Sequence, residues 1–425
     1  VSGLVFVGSL LGAIGIGIPI SFALMLSAVA LMILLGNLDA QILAQRLVNG
    51  ADSYPLMAIP FFLIAGELMN AGGLSRRIVN VALALVGHLR GGLGYVVIGT
   101  GVLMASLSGS AIADTATLAV MLIPLMRDAG YNMDRATGLM ASTGIIAPVI
   151  PPSVGFVILG VTANISIVGL FLAGIVPGLL MGVSLVLAWW FISKKETAAV
   201  RPKLPRRDIP KAIMTAGWAL MLPVIILVGL RFGVFTPTEA GVVAAAYALF
   251  VGLVVYRELT PKLLYEALLA AGRMTAVIML LVAASMVTGF MMAISSLPAQ
   301  LVALLRPFID EPKLLMAMIV LAIFIIGMVL DFAPSITILV PILMPLVNAA
   351  GIDPVYFGVI FIMTAAVGMI TPPVGTVLNT VCGISGVTMG SALRGVLPFL
   401  LAEMVLIALL IIFPQLVTVP ASWLH

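Results

Sequence analysis

Long apolar runs fill almost the whole chain, and its polar positions are of two kinds: short charged connectors, and polar clusters inside the apolar runs themselves. The second kind is the more informative. SLSGSAIADTATLAVMLIPLMRDAGY, starting at Ser106, is followed by Pro151-Pro152. LDFAPSITILVPILMPLVNAAGI, starting at Leu330, is followed by Pro372-Pro373. The proline pairs stand 221 residues apart, and the same offset relates Pro124 to Pro345, Thr143 to Thr364, Gly174 to Gly395 and Pro177 to Pro398. Apolar segments interrupted at matching places in two halves are the sequence mark of a transporter built from an internal repeat. A duplicated fold that no longer transports would carry the same mark.

Helices are the expected elements, because backbone polar groups in hydrocarbon must be satisfied within their own segment. Segments 92–129 and 314–350 are too polar at their centres to read as single crossings. They are predicted to turn back inside the bilayer, the first around 106–115 and the second near Asp331 to Ser335. Two further interruptions are predicted at 147–153 and 368–376, where paired prolines remove donors and clash with the preceding turn. Segment 2–36 breaks at Gly15 to Pro19 and reads as two short crossings. Segments 38–52 and 258–272 are mildly amphipathic and read either as surface arms or as ordinary short loops.

Composition fixes the class. Hydrophobic residues make up 63%, charged residues 8%, and mean hydropathy is +1.29, against about 25% charged residues in a soluble domain. The chain is therefore a polytopic membrane protein, with room for about ten to twelve crossings of roughly 20 residues each. The lone cysteine, Cys382, excludes an internal disulfide and a multi-cysteine metal centre. The two histidines, His88 and His425, leave little for a histidine metal site or proton relay. The net charge of +4 calls for no nucleic-acid partner, since its distribution follows topology.

The basic stretch Lys194 to Lys211 should be cytoplasmic. Walking outward from it, with 92–129 and 314–350 as re-entrant hairpins, puts sixteen Lys/Arg inside and four outside (Arg46, Arg231, Arg306 and Lys313). The two hairpins then enter from opposite faces, as an inverted-topology repeat requires. The fold class is an all-α polytopic membrane protein with two re-entrant helical hairpins. Its predicted parts are a scaffold (1–91 and 213–313), a transport domain (92–192 and 314–416) and a cytoplasmic basic linker (193–212).

Broken helices leave carbonyls free at one half-helix end and amides free at the other. Carbonyl and hydroxyl oxygens are hard ligands for a small cation; amides at a helix N-terminus suit a carboxylate. Ser106, Ser108, Gly109, Ser110, Asp114 and Thr115 gather at the first turn, and Ser142, Thr143, Gly144, Pro148 and Ser153 around the first proline pair. Asp331, Pro334, Ser335 and Thr337 gather at the second turn, with Thr364, Gly368, Thr371 and Thr376 around the second pair. A carboxylate at the membrane centre costs roughly 2.5–3.5 kcal/mol on insertion scales, so Asp114 and Asp331 need compensation. Both also precede helical runs and read equally as helix caps. Single serines and threonines read as helix packing or back-bonding. Glu67 is placed within reach of Arg76 or Arg77. Glu239 reads as a cap after Thr236-Pro237, Glu403 faces a cavity or partner, and Trp189 and Trp190 form an interfacial belt.

MASLSGSAIADTATLAVMLIPLM, GIIAPVIPPS, MVLDFAPSITILVPILMPL, GIDPVYFGVIF and GMITPPVGTVLN together resemble the large membrane subunit of tripartite ATP-independent periplasmic (TRAP) transporters. The resemblance runs along nearly the whole chain. It implies a multi-pass subunit of the bacterial inner membrane, an elevator mechanism and sodium-driven import of organic anions. It also implies two partners, a small four-helix membrane subunit and a secreted periplasmic substrate-binding protein. Two or more sodium ions are implied. One would involve Ser106, Ser108 and Gly109 with Gly144 and Pro148; the other, Asp331, Ala333 and Thr337 with Gly368 and Thr371. The small carboxylate substrate would lie near Ser108, Ser110, Asp114, Ser153 and Asp331. LVNGADS and AIPFFLIAGE are nearest to members assigned to sugar acids such as diketogulonate. The alternatives are an ion channel built from the same broken helices, an intramembrane enzyme using an aspartate pair, and a purely structural subunit.

Overall fold

The computed structural model of the chain describes residues 2–36, 38–194, 196, 198–199, 203 and 208–424; for residues 107, 108, 208, 211, 212, 423 and 424 it describes the backbone alone. Most of the basic linker lies outside the described residues. The first half holds α1 (Ser2–Gly15), α2 (Ile20–Leu34), α3 (Ala40–Ala51), α4 (Ala58–Ala71), α5 (Leu74–Val86), α6 (Gly92–Ser108), α7 (Ala111–Asp128), α8 (Met133–Gly144), α9 (Val154–Ala163) and α10 (Ile167–Ser193). The second holds α11 (Asp208–Arg231), α12 (Pro237–Phe250), α13 (Pro261–Ile294), α14 (Leu297–Leu305), α15 (Pro312–Gly327), α16 (Phe332–Ala349), α17 (Pro354–Gly368), α18 (Thr376–Ser385), α19 (Met389–Ile412) and α20 (Gln415–Leu424). No strand occurs among the described residues.

The 221-residue offset survives in three dimensions: α7 starts and ends 221 residues before α16, and Pro151-Pro152 and Pro372-Pro373 are both cis. Seven helices are long and apolar enough to cross a bilayer by length and composition. That is fewer than the sequence-based ten to twelve because several crossings are split. α8 with α9, and α17 with α18, are each two half-helices separated by an irregular stretch, 145–153 and 369–375.

Contacts at the helix ends fix which termini lie together. Arg90 donates to the Lys194 carbonyl at 2.8 Å, Ala199 donates to the Ala129 carbonyl at 2.9 Å, and Arg135 pairs with Glu196 at 2.8 Å. Arg127 donates to the Ser385 carbonyl. The start of α6, the end of α7 and the end of α18 therefore share the basic end. α10 runs about 40 Å from that end, at 1.5 Å per residue, so its start at Ile167 marks the opposite one. There Asn164 and Ser166 flank one cavity with Tyr54 and Thr236. Lys313 and Gly351, the two ends of the second hairpin, flank another with Pro414. The first hairpin (α6–α7) thus begins and ends at the basic end, and the second (α15–α16) begins and ends at the other.

Four details differ from the sequence-based reading. The second turn lies at Met328–Asp331, because Asp331 caps α16 by accepting from Phe332 N at 2.7 Å; Ser335 and Thr337 are already helical. Segment 258–272 does not form a separate arm. From Pro261 it is the start of a continuous 34-residue helix, about 51 Å long, well over the ~30 Å core. Its counterpart α3 is detached from α4 by Asp52 to Met57. Arg77 pairs with Glu258 at 2.8 Å and lies over the Tyr256 ring, and not beside Glu67. Trp189 is not interfacial: it is 0% exposed, donates to the Gly91 carbonyl at 2.9 Å, and stacks on Tyr131 and Phe399. Trp190 is exposed beneath Lys194 Nζ. Glu239 caps α12 in a reciprocal box with Thr236, as its position predicts.

Candidate transport site at the hairpin tips

Each hairpin tip sits on an irregular stretch. At the first, Gly109 takes φ +63°, and a Cβ there would fall 2.7 Å from the Pro152 carbonyl oxygen. Only glycine allows that approach in a left-handed conformation. At the second, the Met328 carbonyl accepts from Val374 N at 3.2 Å and Gly375 N at 3.4 Å. The tips are therefore set against 152–154 and 374–375.

Between the tips lies a cavity of about 170 Å³, lined by Gly109, Ser110 and Ile112 of the first, Asp331 to Pro334 of the second, Val154, and apolar residues of α4 and α13. Among the cavity-lining residues Asp331 is the one charged group and no basic side chain appears. Its carboxylate accepts from the Phe332 backbone amide at 2.7 Å. Ser110 caps α7, accepting from Ala113 N at 3.4 Å.

The structure does not gather every residue singled out in the sequence. Ser110, Gly109, Asp331 and Ala333 line the cavity. Asp114 does not; it is 3% exposed in the first turn of α7. Ser153 is fully buried, donating to the Pro148 carbonyl at 2.6 Å and capping α9 through Phe156 N at 3.3 Å. Gly144 packs against the Thr115 side chain, and Gly368 against Gly327 at the end of α15. The Ser108 side chain lies outside the described residues. Ser106 and Thr337 each donate to a carbonyl of their own helix, Leu103 and Pro334, and Thr371 donates back to the Val367 carbonyl of α17, at 2.7–3.0 Å. Such a hydroxyl has spent its proton and keeps lone pairs for a cation. Ser142, Thr143 and Thr376, at the edges of the irregular stretches, are buried hydroxyls without a hydrogen-bond partner among the described residues.

Sequence reasoning missed the wall facing the tips: Leu63 of α4, and Met274, Val277, Ile278 and Leu281 of α13. An apolar residue in an apolar helix gives no signal that separates cavity lining from lipid contact.

The two irregular stretches are unequally covered. Residues 151–160 are all buried, with α9 packed against α4 and α13. In the second half Pro373, Val374 and Asn379 are exposed, Val374 by 40%, and α18 packs mainly against α7 and α8. Ile158, the counterpart of Asn379, is 0% exposed. The repeat is thus sealed toward the opposite end and uncovered toward the basic end.

Two oppositely entering hairpins that meet two interrupted helices define a multi-pass membrane protein of the broken-helix transporter class. The chain belongs to the TRAP large-permease family: the model of the "Tripartite ATP-independent periplasmic transporter, DctM component" matches residues 7–416. It is 51% identical over 422 residues, 99% of each chain, to the 2,3-diketo-L-gulonate TRAP transporter large permease protein YiaN of Escherichia coli. It is 41% identical to the sialic acid TRAP transporter large permease protein SiaM of Vibrio cholerae, covering 96% of each. Its fold is similar to that of the Alcanivorax borkumensis YdaH transporter, with TM-score 0.62 at 15% identity over 88% of this chain and 89% of that one. With relatives that are permeases, the chain is a transport subunit and not an enzyme.

Proposed function

We propose that this chain is the large membrane subunit of a sodium-coupled importer of organic acid anions, acting in the bacterial inner membrane with a small membrane subunit and a periplasmic binding protein. The observation that carries the reading is Asp331, a carboxylate in the tip cavity with no basic side chain among the described residues that line it. An organic anion entering there meets like charge unless a cation arrives with it. Sodium is the cation that free carbonyl and hydroxyl oxygens suit. Among the relatives' named cargoes, 2,3-diketo-L-gulonate, sialic acid and C4-dicarboxylates are carboxylates and isethionate is a sulfonate; all are organic anions, which supports the anion class. The 51% identity to the diketogulonate permease favours a sugar acid.

In this mechanism sodium ions order the two tips, and the tip amides and hydroxyls complete an anion pocket. Segments 92–192 and 314–416 then move as one body against the scaffold of 1–91 and 213–313. The uneven covering of 151–160 and 372–379 supports an inward-facing state of that movement. Each net positive charge carried inward gains roughly 2.3 kcal/mol per 100 mV.

Reconstituted in liposomes with both partners, the subunit should take up a carboxylate only with an inward sodium gradient. Uptake that persists in potassium with a proton gradient overturns the coupling. A second measurement addresses the state. On a Cys382→Ser background, Asn379→Cys should react with a bulky impermeant thiol reagent from the cytoplasmic side, while Ile158→Cys stays protected from it. Equal protection of both would contradict the inward-facing assignment.

A further inference from the structure

We propose that Glu403 is a proton-binding site, held as the neutral carboxylic acid where α10 and α19 cross, apart from the tips. The side chain is fully buried. Ser184 Oγ lies 2.7 Å from Glu403 Oε1 and also 2.7 Å from the Met181 carbonyl oxygen. Both are hydrogen-bond distances for oxygen pairs. A hydroxyl has one proton, and a carbonyl oxygen can only accept. If Glu403 were ionised it too could only accept, and one Ser184 proton would face two acceptors. The count closes when Oε1 carries a proton: Glu403 donates to Ser184, and Ser184 donates to Met181. Oε2 has no hydrogen-bond partner among the described residues, a position far less costly for a neutral acid than for an anion.

Among the described residues no counter-ion faces this carboxyl. α10, α6, α9, α17 and α20 carry no Lys, Arg, His, Asp or Glu. On the other helices packed against α10 or α19, the charged residues lie near the ends: Asp134 and Arg135 opening α8, Asp208, Lys211 and Arg231 at the termini of α11, and Lys313 opening α15. On α19 itself Arg394 is exposed, nine residues earlier. The remaining titratable groups are Tyr95, Cys382 and Tyr356, whose hydroxyl is spent on the Leu410 carbonyl at 3.1 Å. The site matters because α10 and α19 are the long helices that follow the two irregular stretches, one in each half. Their contact at mid-membrane therefore carries a proton.

The test is infrared difference spectroscopy of the purified protein in lipid nanodiscs at neutral pH. Wild type minus Glu403→Gln should show the C=O stretch of a protonated carboxyl, lost in the variant. Ser184→Ala, which keeps the acid and removes its acceptor, should shift that band to the higher frequency of an unbonded acid. It also serves if Glu403→Gln fails to fold. The proposal is overturned if the difference spectrum contains a carboxylate band in place of the acid band, or if Ser184→Ala leaves the acid region unchanged.

Discussion

Asp331→Asn sharply weakens sodium-dependent uptake while leaving the fold in place. Asparagine caps a helix about as well as aspartate, so the bond to Phe332 N that starts α16 has a substitute acceptor. What disappears is the one negative charge in the tip cavity. Charge-assisted contacts are worth roughly 1.5–3 kcal/mol each, so sodium affinity should fall about 10- to 100-fold, with uptake at ordinary sodium falling in step. The stabilisation that sodium gives the folded protein should shrink with it, since a ligand stabilises by RT ln(1 + [L]/Kd). Melting temperature with and without sodium, measured beside uptake, separates this outcome from misfolding. Wild-type sodium dependence in the variant would remove Asp331 from the site. Asp331→Ala loses the cap as well, and should cost a further 0.5–2 kcal/mol or so of stability.

The sequence revealed the breaks because prolines, glycines and small polar residues are costly inside an apolar helix and recur at one offset. It revealed the opposed hairpins because lysines and arginines mark the cytoplasmic side. It placed the second turn a few residues late, since a proline at 334 fits the first turn of a helix as well as a loop. It grouped Asp114 and Ser153 with the cavity because residues close along the chain look alike on paper. In the folded chain helix phase turns Asp114 inward, and Ser153 is consumed in closing its own stretch. The scaffold wall, α13 above all, was illegible for a different reason. Lipid and protein interior are equally apolar, so hydrophobicity cannot say which side of a membrane helix is covered.

The other large effect belongs to a contact that the repeat itself does not announce. Gly368→Ala is expected to eliminate transport and to destabilise the protein by about 1–3 kcal/mol, the usual range for overpacking a filled site. A Cβ on Gly368 would lie 2.5 Å from the Gly327 carbonyl carbon, 2.7 Å from its Cα and 2.8 Å from its oxygen. All three are backbone atoms, so no side-chain rotation relieves the overlap, and α15 must move away from α17. Met328 follows Gly327 directly, and its carbonyl is the acceptor for Val374 and Gly375. Displacing α15 therefore displaces the second tip from the stretch it rests on, along with the carbonyls proposed to hold sodium. In the first half the equivalent positions, 221 residues earlier, are Ala147 and Ser106, so this close approach belongs to the second half alone. Gly383→Ala is the matched control: it lies within α18 with nothing inside 4 Å of the added carbon, where alanine is neutral or stabilising by up to ~1 kcal/mol. Uptake and melting temperature measured on both variants decide the matter. A Gly368→Ala protein that transports and melts like wild type would show that the second tip does not depend on this glycine contact.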